Sequence, residues 1–132
     1  MKPTINIFWF RRDLRLTDNA GLYHALKDGK PVLPLFVFDS NILDALEDKT
    51  DSRAEFIHLA LQAIQQQLVN VGSSLDVRYG NPLEVYQALL KEYNVEKVFT
   101  NHDYEPYAKQ RDTAIEKLLK DHGASFYTFK DQ

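Results

Sequence analysis

Ile5-Asn6-Ile7-Phe8-Trp9-Phe10-Arg11-Arg12-Asp13-Leu14-Arg15-Leu16, running on into Thr17-Asp18-Asn19, is the stretch that decides the fold. A six-residue apolar-rich run, residues 5–10, ends in three arginines within five positions. So short an apolar run reads as a buried first strand. The arginines then stand at its carboxyl end. In open α/β sheets that edge is where ligands bind. The chain therefore sets planar, permanently charged donors where a small molecule would dock.

Outward from this strand, the punctuation is regular. Residues 19–27 read as a helix, with Asp18 a candidate N-cap and Gly29 a stop. Residues 32–38, Val-Leu-Pro-Leu-Phe-Val-Phe, read as a second strand. Pro34 conflicts locally, because it removes a ladder donor, and belongs near the strand's start or on its less-paired side. Residues 41–46 read as a short helix and 47–51 as a polar loop. From Ser52 to Val71, Phe56, Ile57, Ala60, Leu61, Ile64, Leu68 and Val71 recur near helical spacing, and Gly72 ends that helix. Residues 75–79 read as a third strand. Asn81-Pro82 opens a helix carrying Leu83, Val85, Tyr86, Leu89, Leu90 and Tyr93 on one stripe. Residues 97–100 read as a fourth strand, 106–122 as a helix stopped by Gly123, and 125–129 as a fifth strand.

Strands alternating with helices imply βαβ units with right-handed crossovers. The expected fold is α/β: a three-layer α/β/α Rossmann-like arrangement on a five-stranded parallel sheet. The 132 residues suit one domain, 1–132, with no repeat, linker or low-complexity segment. The chain ends three residues past its fifth strand, as expected of a piece cut from a longer protein.

Composition narrows the function. The chain is 44% hydrophobic and 27% charged, ordinary for a globular domain. A net charge of −3 argues against a main nucleic-acid grip. With no cysteine there is no disulfide framework and no thiolate chemistry. No signal core or membrane-length apolar run occurs, so a cytoplasmic location without membrane contact is expected. No G-x-G-x-x-G follows the first strand, and no P-loop string exists. His24, His58, His102 and His122 are scattered without metal spacing, so no metal site is expected. Asp103 and Glu105 have no accompanying nucleophile motif, so no catalytic residue is assigned.

Three constellations remain. Arg11, Arg12 and Arg15 suit carboxylate or phosphate groups, though Asp13 and Asp18 are near enough to tie them into a structural ion-pair knot. Thr100-Asn101-His102-Asp103-Tyr104-Glu105-Pro106-Tyr107, with Arg111-Asp112 beyond, leaves the fourth strand. There Asn101 or Asp103 would cap the next helix, and Glu105 would complement its dipole. Phe36-Val37-Phe38-Asp39 ends the second strand, with Arg53 opening the long helix. Its aromatics read first as core packing, and at this sheet edge also as apolar walls for a flat ligand.

These three segments resemble, in order, motifs of the DNA photolyase and cryptochrome family. Trp-Phe-Arg-Arg-Asp-Leu-Arg-Leu-x-Asp-Asn is similar to the family's N-terminal signature. Asn101-x-Asp103-x-Glu105-Pro106 followed by an Arg-Asp pair is similar to the segment that lines its antenna-pigment pocket. The resemblance covers essentially the whole chain. It implies the N-terminal domain of a deoxyribodipyrimidine photo-lyase, a carbon-carbon lyase acting in light-dependent DNA repair. The pigment would be methenyltetrahydrofolate, a deazaflavin or FMN. Arg12, Asp39, Arg53, Asp103 and Glu105 would supply its polar contacts. Trp9, Phe10, Phe36, Val37 and Phe38 would shape its walls. A C-terminal helical domain, absent here, would bind FAD and damaged DNA and would carry the catalysis, so the fragment alone is not expected to be catalytic. The alternatives are a cryptochrome-type blue-light photoreceptor domain, a stand-alone nucleotide-binding α/β module, and an interaction domain without a ligand.

Overall fold

Among the described residues, nine elements follow one another in the computed structural model: β1 (Thr4–Phe10), α1 (Ala20–Lys27), β2 (Val32–Asp39), α2 (Ser52–Asn70), β3 (Asp76–Gly80), α3 (Pro82–Glu92), β4 (Asn94–Asn101), α4 (Pro106–Asp121) and β5 (Ser125–Phe129). The structure describes residues 2–10, 19–39, 52–70, 74–102 and 106–129, with backbone alone at 39, 52–58, 70, 106 and 107. The strands form one sheet in the order β3-β2-β1-β4-β5, and every pairing is parallel. The expected α/β class, strand count and parallel pairing are all observed. The expected helix over 41–46 and loop over 47–51 lie outside the described residues.

Period-two alternation sends successive strand residues to opposite faces. Ile5, Ile7, Trp9, Leu35, Val37 and Val98 pack against Tyr86 and Leu89 of α3 and Ile115 and Leu119 of α4. Phe8, Phe10, Phe36, Phe38 and Phe99 pack against Leu22 and Ala25 of α1 and Leu61, Ile64 and Leu68 of α2. Because both faces are covered, the strands carry near-continuous apolar runs and not alternating ones. Each fully buried large side chain contributes about 1.5–3 kcal/mol.

Several boundaries differ from the sequence reading, each for a physical reason. Asn19, not Asp18, caps α1: its side chain accepts from Leu22 N–H. β4 begins at Asn94 and not at 97, because its polar start is held from outside. Asn94 N–H donates to Pro3 O at 2.8 Å, and its Nδ2 donates to Thr4 Oγ1 at 3.0 Å. β3 starts one residue late, since Leu75 N–H is taken by Gln65 Oε1 of α2 at 2.7 Å. β2 runs on through Asp39. Its Pro34 is tolerated although β2 lies inside the sheet. Asn6 N–H reaches Pro31 O at 2.8 Å. Strand alternation therefore turns the missing N–H of Pro34 away from β1. On that other side the β3 ladder begins only at Leu35, opposite Asp76. The Asn81 cap and the Gly123 stop (φ +81°) follow the sequence reading, with α4 ending at Asp121 and not at His122.

Candidate ligand-binding edge

From β1 the chain crosses to β2 on one side, and from β4 it crosses to β5 on the other. Connections leaving in opposite directions open a crevice at the carboxyl ends of the two neighbouring strands. The arginine segment 11–18 leaves one lip and the acidic segment 103–105 leaves the other. Arg12, Asp103 and Glu105 themselves lie outside the described residues.

The lips are tied together by buried hydrogen bonds. Thr100 Oγ1 donates to Trp9 O at 2.8 Å. Asn101 Nδ2 donates to Asn19 Oδ1 at 2.7 Å, and Asn101 Oδ1 accepts from Gly21 N–H at 2.8 Å. Asn101, expected as a cap for α4, thus serves the start of α1. The approach is close: a Cβ on Gly21 would sit 2.8 Å from Phe8 Cε1, 2.9 Å from Asn101 Oδ1 and 3.1 Å from the Thr100 carbonyl carbon. The sequence reading passed over Gly21, although a glycine within a helix often signals such packing.

The expected wall residues reach this edge but not as one wall. Trp9 faces the α3/α4 layer, 2% exposed, between the Tyr86 ring (centroids 5.4 Å apart) and the Arg111 guanidinium 4.8 Å above its own ring. Val37 faces the same layer. Phe10, Phe36 and Phe38 face the other, where Phe10 meets Phe8 edge-on at 4.8 Å. Phe36 and Phe38 meet edge-on at 4.9 Å. Phe38 also stacks on Tyr79 at 4.5 Å and lines an open cavity of about 440 Å³ with Leu61, Gln62, Leu75 and Tyr79. All five are buried, so their first role is core packing. Asp39 closes β2 opposite Gly80, and Arg53 lies in the first turn of α2.

The resolved charge shifts lie away from the edge. Hydrogen bonds from Lys97 Nζ (2.7 Å) and Asn6 Nδ2 (2.8 Å) hold the Asp28 carboxyl below its usual range. The same contact with Asp28 raises Lys97. Arg78 is raised chiefly by Asp76, with Glu92 adding to it. Among the described residues no cluster of His, Cys, Asp or Glu has metal-binding geometry. None of their helices is long and apolar enough to cross a membrane.

Known proteins share this sequence pattern and this fold. The family model for DNA photolyase matches residues 6–132. A deoxyribodipyrimidine photo-lyase of Synechococcus is 35% identical over 126 residues, covering 96% of this chain and 26% of its own length. Cryptochrome-2 of Gallus gallus is 34% identical over 118 residues, covering 89% of this chain and 20% of its own. The crystal structure of the archaeal photolyase from Sulfolobus tokodaii superposes with a TM-score of 0.85 at 31% identity. It covers 95% of this chain and 29% of that one, and holds two FAD molecules with the implication of a novel light-harvesting cofactor. The chain belongs to the DNA photolyase family. It spans about a quarter of the length of the curated photo-lyases it matches.

Proposed function

We propose that this chain is the N-terminal antenna domain of a light-dependent DNA-repair protein, and that it binds a flat pigment at the β1/β4 crevice. The carrying observation is the switch point itself: the two charged motifs leave adjacent parallel strands at their carboxyl ends. In sequence, Arg12 follows β1 and Asp103 and Glu105 follow β4, while Asp39 ends β2 and Arg53 lies in the first turn of α2. Such a donor and acceptor set fits a polar, planar ring system. When bound, the pigment would absorb light and pass the excitation to FAD held by a helical domain elsewhere in the longer protein. This chain's own residues orient the pigment, fix its distance and exclude water; none moves a proton or forms a bond. Damaged DNA would be met only by the longer protein. A cytoplasmic location belongs to the same proposal.

Among methenyltetrahydrofolate, deazaflavin and FMN, a flavin is the first pigment to try, given the second FAD of the Sulfolobus relative. Each is titrated into the purified chain and followed by absorbance and fluorescence. The expected result is saturable binding of one pigment, weakened at least tenfold by Arg12→Ala and by Glu105→Gln. A folded chain that binds none of the three contradicts the proposal. A second reading, a cryptochrome-type photoreceptor, is favoured by the Gallus gallus match. A pyrimidine-dimer repair assay on the full-length gene product separates the two.

A further inference from the structure

We propose that Arg111 makes Trp9 a poor electron donor, and so preserves the excitation of a pigment held at the β1/β4 crevice. The proposal rests on the antenna reading for its pigment, and goes beyond it in giving Arg111 a role. Trp9 is the single tryptophan of the chain. It is the last residue but one of β1 and stands opposite Thr100 of β4. The rise of a strand puts it within about 7 Å of the carboxyl edge. An indole that close to an excited flat pigment can surrender one electron to it. The pigment is then reduced by one electron, the indole is left as a radical cation, and the electron's return releases the absorbed energy as heat. Nothing is consumed, but no excitation remains to be passed on.

The surroundings of Trp9 oppose that loss. The Arg111 guanidinium lies 4.8 Å above the indole ring, and Trp9 is 2% exposed. The Arg111 side chain is itself only 10% exposed. A buried cation is costly, and its attraction to the face of a neutral indole offsets part of that cost. The attraction turns to repulsion once the indole becomes positive. Two like charges at this distance, away from water, are poorly screened. Arginine stays charged throughout. Asp112 Oδ1 lies 3.7 Å from Arg111 Nε, longer than a direct hydrogen bond. A merely structural clamp would need the guanidinium for packing and would leave the electron-donating power of the ring out of account. The two roles therefore differ in what the loss of the charge does to light emission.

The test compares Arg111→Met, which keeps length and loses charge, with Arg111→Lys, which keeps charge. Each is made with Trp9 present and in Trp9→Phe. The first readout is the fluorescence lifetime of bound FMN. Arg111→Met should shorten it about tenfold, the effect of losing one poorly screened charge. Arg111→Lys should stay near wild type, and in Trp9→Phe the charge at 111 should not matter. Equal shortening in Trp9→Phe, a lysine variant as dim as the methionine one, or no shortening at all overturns the proposal. The second readout needs no pigment. Azide radicals made by pulse radiolysis oxidise the ligand-free chain, and the absorbance of the indole radical reports Trp9 alone. Its yield should rise several-fold in Arg111→Met and not in Arg111→Lys; an unchanged yield overturns the proposal. If wild type binds no FMN, the antenna reading fails, and the radical yield still decides whether Arg111 holds back the electron of Trp9. Where Arg111→Met does not fold, Arg111→Gln takes its place in both readouts.

Discussion

Among the described residues two helices start on asparagine, and the two starts are built differently. At α3, Asn81 Oδ1 accepts from Leu83 N–H at 2.9 Å, Pro82 takes the first helical position, and Leu83 follows. Everything needed is adjacent in sequence. At α1, Asn19 caps in the same way, but the second helical position holds Gly21 and a residue from β4 completes the arrangement. The first start only ends a turn. The second ties the start of α1 to the carboxyl end of β4. A start completed by a distant residue loses more than one buried bond when its asparagine is removed.

The strongest way to break the contrast is to fill the gap at Gly21. Gly21→Val should destabilise by about 3 kcal/mol, since the added atoms meet the Thr100 backbone, which cannot swing aside. Gly21→Ala should lose less, because better helix propensity returns roughly 1 kcal/mol. Chemical denaturation checks both. An alanine variant as stable as wild type would mean that the packing at this point is loose.

Removing the caps comes next. Asn19→Ala should cost about 1–2 kcal/mol, with two buried bonds lost. Asn81→Ala, at a half-buried start, should cost about 0.5–1 kcal/mol. Combined with Asn101→Ala, the first should be non-additive and the second additive. Equal costs and equal coupling would erase the distinction between the two helix starts.

The far end of α1 gives the smallest effect. Asp28 has a depressed folded-state pKa, so its pairing contributes stability above the usual value of 3.8 and loses it as pH falls below that value. Both partners are partly exposed, at 29% for Lys97 and 21% for Asp28, which keeps the effect small. Asp28→Asn should therefore flatten the acid limb of a stability–pH curve and leave the neutral region nearly unchanged. A change confined to neutral pH would point to Asn6 and packing and not to the charge.

Much of this was legible in the sequence because it is local. Asn81-Pro82, the Gly123 stop and the existence of the five strands, though not all their limits, read correctly from neighbours. The α1 start did not, because Asn101 stands 82 positions from Asn19. Nor did the split of the aromatic walls: Trp9 and Phe10 are consecutive, so the strand must turn them to opposite faces, and only the helices packed on each face say what covers them. Asn6, wholly buried within the first apolar run, gave no sign that it reaches Asp28. The charged residues of the candidate site were found by motif, and their side-chain geometry lies outside the described residues.

The seat of a bound pigment separates the crevice from the molecule's other hollows. A crystal structure of this chain with bound FMN should show the ring system at the carboxyl ends of β1 and β4, beyond Phe10 and Asn101. A flavin seated instead in the cavity beside Phe38 and Tyr79, or at the amino end of the sheet near Asp28 and Lys97, would contradict it.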